Sequence, residues 1–386
     1  MRNKFLLLVF IGTANFLFAQ KIVVEWGKTR AIRPDFIGTN GNVIGKTNPW
    51  DSSEMLNALQ KMGVSNIRYP AGTLANYWDW DLGWLDPTVP DSLMINWVAQ
   101  QGINRSSQRY PLENFAKAIK STQVEPIYVL NMLTKDLEHS LRGLRKAKAL
   151  GLPIHLIEMG NELYFNLPLE SKVYPSPEDY GKACQLWISA IKKEFPEARC
   201  AVLGTELNRN ARQKDWTERV LQNAPNADAV IFHVYTGFGL DGGRERNTNN
   251  AGQEGLTNAT RKFGTPLERQ QYELAQLQMP EGYARFLNLA QEVASRYRKM
   301  TVPTHMDVWV TEFNVRADSS AIRGTWANLL FIAKFYEEFL EGGQVNLSCF
   351  HNIQGPLFAA YFFDTQGLNH VLTEKITTRV GSLSAG

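Results

Sequence analysis

Ile154-His155-Leu156-Ile157-Glu158-Met159-Gly160-Asn161-Glu162 reads as a buried strand with a polar tip. Ile154, Leu156 and Ile157 supply the apolar run, Pro153 punctuates its start, and Asn161-Glu162 emerge where strand gives way to loop. Met306-Asp307-Val308-Trp309-Val310-Thr311-Glu312-Phe313-Asn314 has the same form and again delivers a glutamate at its tip. The stretch between the two glutamates is long enough for several strand–helix units, so the chain reads as built to bring Glu162 and Glu312 face to face.

Strands and helices alternate outward from these two. A short Lys21–Glu25 strand precedes a first core strand, Phe36–Asn40, and Ser52/Ser53 cap a helix that ends at Gly63. Val64–Pro70 is the second strand and carries Arg68. An aromatic-rich loop with Trp78, Trp80, Trp84 and Trp97 comes next, then a helix from near Pro111. Val124–Met132, the strand ending in Glu162, Arg199–Thr205, Ala227–Tyr235, the strand ending in Glu312 and Val345–Phe350 complete eight. Helices are expected at Lys135–Leu150, Pro177–Phe195, Gln213–Gln222, Gly282–Lys299 and Ile322–Leu340. Eight such units predict a (β/α)8 barrel of the TIM type, an α/β fold that keeps its chemistry at the C-terminal ends of its strands. Lys21–Glu25 would be a short N-terminal β extension. The residues after the eighth strand, with a short helix at Glu374–Leu383, read as an incomplete C-terminal end with no room for a β-sandwich. Thr236–Thr265, rich in Gly and Asn, is long enough to be a lid or binding loop.

Composition narrows the function. A net charge of +3 over 386 residues, with scattered lysines and arginines, gives no basic face for nucleic acid. Residues 1–19 have the form of a signal peptide: Arg2 and Lys4 in the n-region, an apolar stretch from Phe5 to Phe18, and Ala19 before the cut. The expected product is a single barrel over residues 20–386, secreted or periplasmic in a bacterium, with no membrane insertion after cleavage. Cys184, Cys200 and Cys349 are odd in number and read as buried free thiols. No cluster has metal-ligand spacing and no Gly-rich phosphate loop comes after Glu312 or Cys349, so neither metal nor cofactor is expected.

Asn-Glu (Asn161, Glu162) ending strand four, His-x-Tyr (His233, Tyr235) ending strand six and Glu312 ending strand seven resemble the clan A glycoside hydrolases. Arg68-Tyr69-Pro70-Ala71-Gly72, then Tyr77-Trp78-Asp79-Trp80, resembles the Arg-x-Pro-Gly-Gly segment and aromatic continuation of the α-L-arabinofuranosidases in that clan. Ala71 replaces a glycine of that pattern, and strand eight ends in His351-Asn352 where many clan members have tryptophan. The resemblance implies a retaining hydrolase acting on polysaccharide or oligosaccharide. In it Glu162 is the acid/base, Glu312 the nucleophile, and Asn161 a partner of the sugar 2-hydroxyl. Arg68 and Tyr235 would hold Glu312, and His233 would support the same layer. Trp78 and Trp80 would offer stacking faces to sugars. Each residue also has a plainer use: glutamates cap helices, Asn makes turns, His fills cores, and loop Trp packs on barrels. Related β-glucuronidase, β-xylosidase or endoglycanase activities, or a barrel that binds glycan without turnover, are the alternatives.

Overall fold

The computed structural model describes residues 31–41, 50, 52–95, 98, 109–236, 265–298, 302–315 and 326–353. The expected leader, the Lys21–Glu25 strand, Trp97, most of the Thr236–Thr265 loop and the Glu374–Leu383 helix lie outside them. All the elements below belong to one compact unit that begins at Arg33.

The strands are β1 (Ile37–Asn40), β2 (Asn66–Tyr69), β3 (Trp78–Asp79), β4 (Trp84–Leu85), β5 (Glu125–Val129), β6 (Leu156–Glu158), β7 (Arg199–Leu203), β8 (Ala229–Thr236), β9 (Asp307–Val315) and β10 (Val345–Phe350). Eight of them close a parallel barrel in the order β1-β10-β9-β8-β7-β6-β5-β2, while β3 and β4 form a small antiparallel hairpin after β2. This is the (β/α)8 architecture the alternation predicts. The described helices are α1 (Ser53–Met62), α2 (Leu112–Thr122), α3 (Leu137–Ala149), α4 (Pro168–Val173), α5 (Pro177–Glu194), α6 (Trp216–Asn223), α7 (Pro266–Leu277), α8 (Pro280–Arg298) and α9 (Trp326–Gly342). Their ends are set locally. Ser52 and Asp136 cap α1 and α3 by accepting from the N–H of Met55 and His139, and Ser176 and Asp179 form a capping box on α5. α4 and α7, absent from the sequence reading, both begin at a proline. No described helix is long and apolar enough to cross a membrane.

Alternation along β2 explains the layering. Ile67 and Tyr69 face outward, where Tyr69 stacks on Phe115 of α2 at 3.9 Å between centroids. Asn66 and Arg68 point inward, Asn66 to Cys349 of β10 and Arg68 to β6 and β9. Cys184, Cys200 and Cys349 are unpaired and buried.

Two local departures from regular geometry aim the site. β9 carries one extra residue against both neighbours: Phe232 pairs Val310 and His233 pairs Glu312, while Ser348 pairs Val310 and Phe350 pairs Phe313. This bulge lets two successive side chains, Thr311 and Glu312, both approach His233. At the other glutamate the strand stops earlier than the apolar run implies. β6 ends at Glu158, Gly160 turns left-handed at φ 89°, and Glu162 stands in the loop at φ 49°. A left-handed conformation costs a non-glycine residue roughly 1–2 kcal/mol, so the surroundings must hold it there.

Candidate active site

The polar cluster at the C-terminal end of the barrel is organised by Arg68, whose side chain is wholly buried. A guanidinium has five N–H groups, and here each has an acceptor. Nε and Nη2 form a fork on Glu158, with Nε–Oε1 2.9 Å and Nη2–Oε2 2.7 Å. Nη2 also donates to Asn161 Oδ1 at 3.0 Å, and Nη1 to Asn40 Oδ1 at 2.6 Å and to Glu312 Oε1 at 2.5 Å. The other oxygen of Glu312 accepts from the Tyr235 hydroxyl at 2.6 Å. Burial opposes the charge on Glu312, but His233, His351, Arg68 and the Tyr235 hydrogen bond outweigh it and hold the carboxyl well below the usual range. Burial, with Glu312 alongside, keeps the Tyr235 phenol protonated.

Glu162 lies opposite. Its Oε1 is 2.9 Å from His233 Nδ1 and accepts from the Tyr164 hydroxyl at 3.3 Å. His233 Nδ1 also stands 3.8 Å from Glu312 Oε2, and its Nε2 lies 3.3 Å from Thr311 Oγ1. Burial works against a charged imidazole, yet Glu312 and Glu162 outweigh it and raise His233 above its ordinary value. One oxygen of Glu162, one of Glu312 and a ring nitrogen of His233 all lie within 4.8 Å of one another.

Arg68, Asn161, Glu162, His233, Tyr235 and Glu312 are thus brought together. Asn161 is locked by Asn76, which donates to its carbonyl at 2.8 Å and accepts from its N–H at 3.1 Å. Its Nδ2 is buried and meets no acceptor among the described residues, a donor left for a ligand. Gly72 comes so close that a Cβ there would stand 2.6 Å from Glu312 Oε1, which accounts for the glycine in Pro70-Ala71-Gly72.

Trp78 and Trp80 are not brought to the cluster, and their reading as stacking faces is corrected. They are 1% and 2% exposed. Trp80 is wedged between Tyr69, Tyr128 and Gly143 of α3, where a glycine Cβ would be 2.9 Å from the indole. Trp78 packs against Tyr69 and Trp84, and Trp84 on Tyr110. Both indoles fill the layer between barrel and helices, with no face left for a sugar. Asp79 and Asp81, which the sequence offers as possible partners of sugar hydroxyls, anchor the β3–β4 hairpin, Asp79 to Lys135 at 2.6 Å and Asp81 to Arg142 at 3.1 Å. Glu206, which the sequence offers as a weaker site candidate at the end of the fifth barrel strand, stands beside Arg296 and Tyr297 of α8.

Two groupings among the described residues have donor atoms close enough for a metal ion, Glu162–His233–Glu312 and Asp79–Asp81–His139. In each a protein cation is already present, Arg68 in the first and Lys135 with Arg142 in the second. Glu158, Asn40, Asn76 and Thr311 also build the site and were not singled out from sequence. Glu158 had a signal: a carboxylate inside an apolar parallel strand must find a buried partner.

No family model matches this chain, and no curated protein matches it by sequence. Solved structures do match by shape. An α-L-arabinofuranosidase from Thermotoga maritima superposes with a TM-score of 0.52 at 16% identity, over 86% of this chain and 66% of the other. A family 51 α-L-arabinofuranosidase from Bifidobacterium longum gives 0.55 at 15%, over 86% and 69%. A 4-O-α-L-rhamnosyl-β-D-glucuronidase from Fusarium oxysporum gives 0.53 at 13%, over 91% and 69%. What these structures share with the chain is the (β/α)8 barrel fold. This chain spans only 66% of the Thermotoga enzyme's length.

Proposed function

We propose that the protein is an exported glycoside hydrolase that cleaves with retention, and that its substrate is an α-L-arabinofuranoside of a polysaccharide or oligosaccharide. The observation that carries this is the pair Glu162 and Glu312, with oxygens within 4.8 Å and Glu312 ionised between Arg68 and Tyr235. Retaining enzymes need carboxyls about 5–5.5 Å apart, whereas inverting ones leave roughly 6.5–9.5 Å for a water. The pair here supports the shorter class.

In this reading Glu312 attacks the anomeric carbon and the glycosidic C–O bond breaks. The leaving oxygen takes the proton that lies between Glu162 Oε1 and His233 Nδ1. Glu162 then accepts a proton from the water that attacks the glycosyl–Glu312 ester, which restores both carboxyls. Asn161 Nδ2 is the donor placed for a sugar hydroxyl. Among the described residues the single guanidinium of the cluster is spent on acceptors from four protein residues, which favours a neutral sugar over a uronate.

The test is turnover of aryl α-L-arabinofuranoside, β-D-xyloside, β-D-glucuronide and β-D-glucoside by the protein and by Glu312→Gln. The expected result is turnover of the arabinofuranoside, reduced on the order of 10⁴-fold in the variant. Turnover confined to another sugar would replace the substrate assignment. Undiminished activity in Glu312→Gln would remove the mechanism. Binding of polysaccharide without any turnover would turn the reading into that of a non-catalytic glycan-binding barrel.

A further inference from the structure

The chain just beyond Glu162 is fastened by one side chain from the neighbouring barrel loop. Arg212, between β7 and α6, is buried. Its Nε donates to the Tyr174 carbonyl at 2.9 Å, Nη1 to the Phe165 carbonyl at 2.9 Å, and Nη2 to the Leu163 carbonyl at 2.6 Å and that of Glu170 at 3.4 Å. The guanidinium lies 4.9 Å over the ring of Trp216, which is itself fixed by donating from Nε1 to the Leu203 carbonyl at the end of β7. Gln213 Nε2 donates to the Tyr164 carbonyl at 3.2 Å. Arg212 and Gln213 therefore capture the carbonyls of the three residues directly after Glu162.

This use of a buried cation has a reason at Glu162. A non-glycine residue at φ 49° stays there only if the chain on both sides is over-determined. Gly160 sets the approach, and the captured carbonyls set the exit. The same segment carries the Tyr164 hydroxyl that reaches Glu162 Oε1.

We propose that Arg212 is a positioning residue for Glu162, holding the 163–174 segment so that the Glu162 carboxyl stays turned toward His233 and Glu312. The proposal rests on the reading of Glu162 as the acid. Only a planar fork spans carbonyls from four residues at once; an ammonium presents its donors from one nitrogen and cannot.

Arg212→Lys keeps the charge, and Gln213→Leu removes two weaker contacts, the donation to the Tyr164 carbonyl and the acceptance from the Arg209 N–H, so the pair offers two independent perturbations of the same segment. The expected result in Arg212→Lys is amide hydrogen exchange about tenfold faster across residues 163–175, with β5 and β7 unchanged. With it, kcat/KM for an alkyl glycoside falls about 100-fold while that for a dinitrophenyl glycoside falls less than about threefold, the mark of lost proton donation. Gln213→Leu should show the same pattern, weaker. Exchange that is unchanged at 163–175, or that rises equally in β5 and β7, overturns the tether. An equal loss on both substrates overturns the link to Glu162. If the unaltered protein hydrolyses no glycoside, the glycosidase reading falls and hydrogen exchange alone decides whether the tether exists.

Discussion

Arg68→Met is expected to lower stability by about 3–5 kcal/mol at neutral pH, the usual cost of removing one partner from a buried ion pair. Methionine approaches the side chain in length but leaves Glu158 and Glu312 inside the barrel without their cation, and orphans the acceptors on Asn40 and Asn161. At roughly 2–4 °C of Tm per kcal/mol for a protein of this size, the loss is several to about 20 °C. The pH dependence distinguishes this from a packing defect. In the unaltered protein Glu312 is held below its unfolded value of 4.5. Its contribution to stability is therefore present above that value and lost as pH falls toward the depressed folded value. Without Arg68, burial is less opposed and Glu312 moves up, so the variant suffers most at neutral pH and least in acid. The gap in Tm between the two proteins should narrow from pH 7 to pH 4, and the acid limb of any activity should move to higher pH. A gap that is the same at both values would mean that Arg68 does not compensate these carboxylates.

Glu162→Gln should separate substrates by their leaving groups. The amide keeps the shape and can still accept from His233 Nδ1, but has no proton to give. For an alkyl or sugar leaving group kcat/KM should fall by about 10²–10⁴, the range of general acid catalysis. A dinitrophenolate departs without help, so with that substrate the first step persists while the second lacks its base. The glycosyl–enzyme then accumulates: a burst appears, kcat falls and KM falls with it. Azide, which attacks without deprotonation, should restore turnover of the activated substrate. An equal loss for every leaving group would show that Glu162 is not the proton donor.

The barrel was legible because its signals are periodic. Eight apolar runs separated by amphipathic helices leave few other solutions, and Ser52 and Gly63 marked the ends of the first helix. The two glutamates were legible for the same reason, each ending an apolar run. Their geometry was less so, because it depends on irregular backbone: a bulge in β9 aims Glu312, and a left-handed turn beyond β6 aims Glu162. Trp78 and Trp80 were misread because a loop tryptophan carries no mark of which side it packs on, and here Gly143 of α3 leaves the room that Trp80 fills. Arg212 is illegible in sequence, since its partners are main-chain carbonyls from a different loop.

The central claim is that Glu312 becomes covalently bonded to the sugar. The direct measurement is mass spectrometry of the acid-quenched Glu162→Gln protein after brief exposure to dinitrophenyl α-L-arabinofuranoside, with peptide mapping of the product. The predicted result is a mass increase of one glycosyl residue on the peptide that carries Glu312, absent when Glu312→Gln is added. Release of dinitrophenolate with no adduct at any time, or an adduct on a different residue, would contradict it.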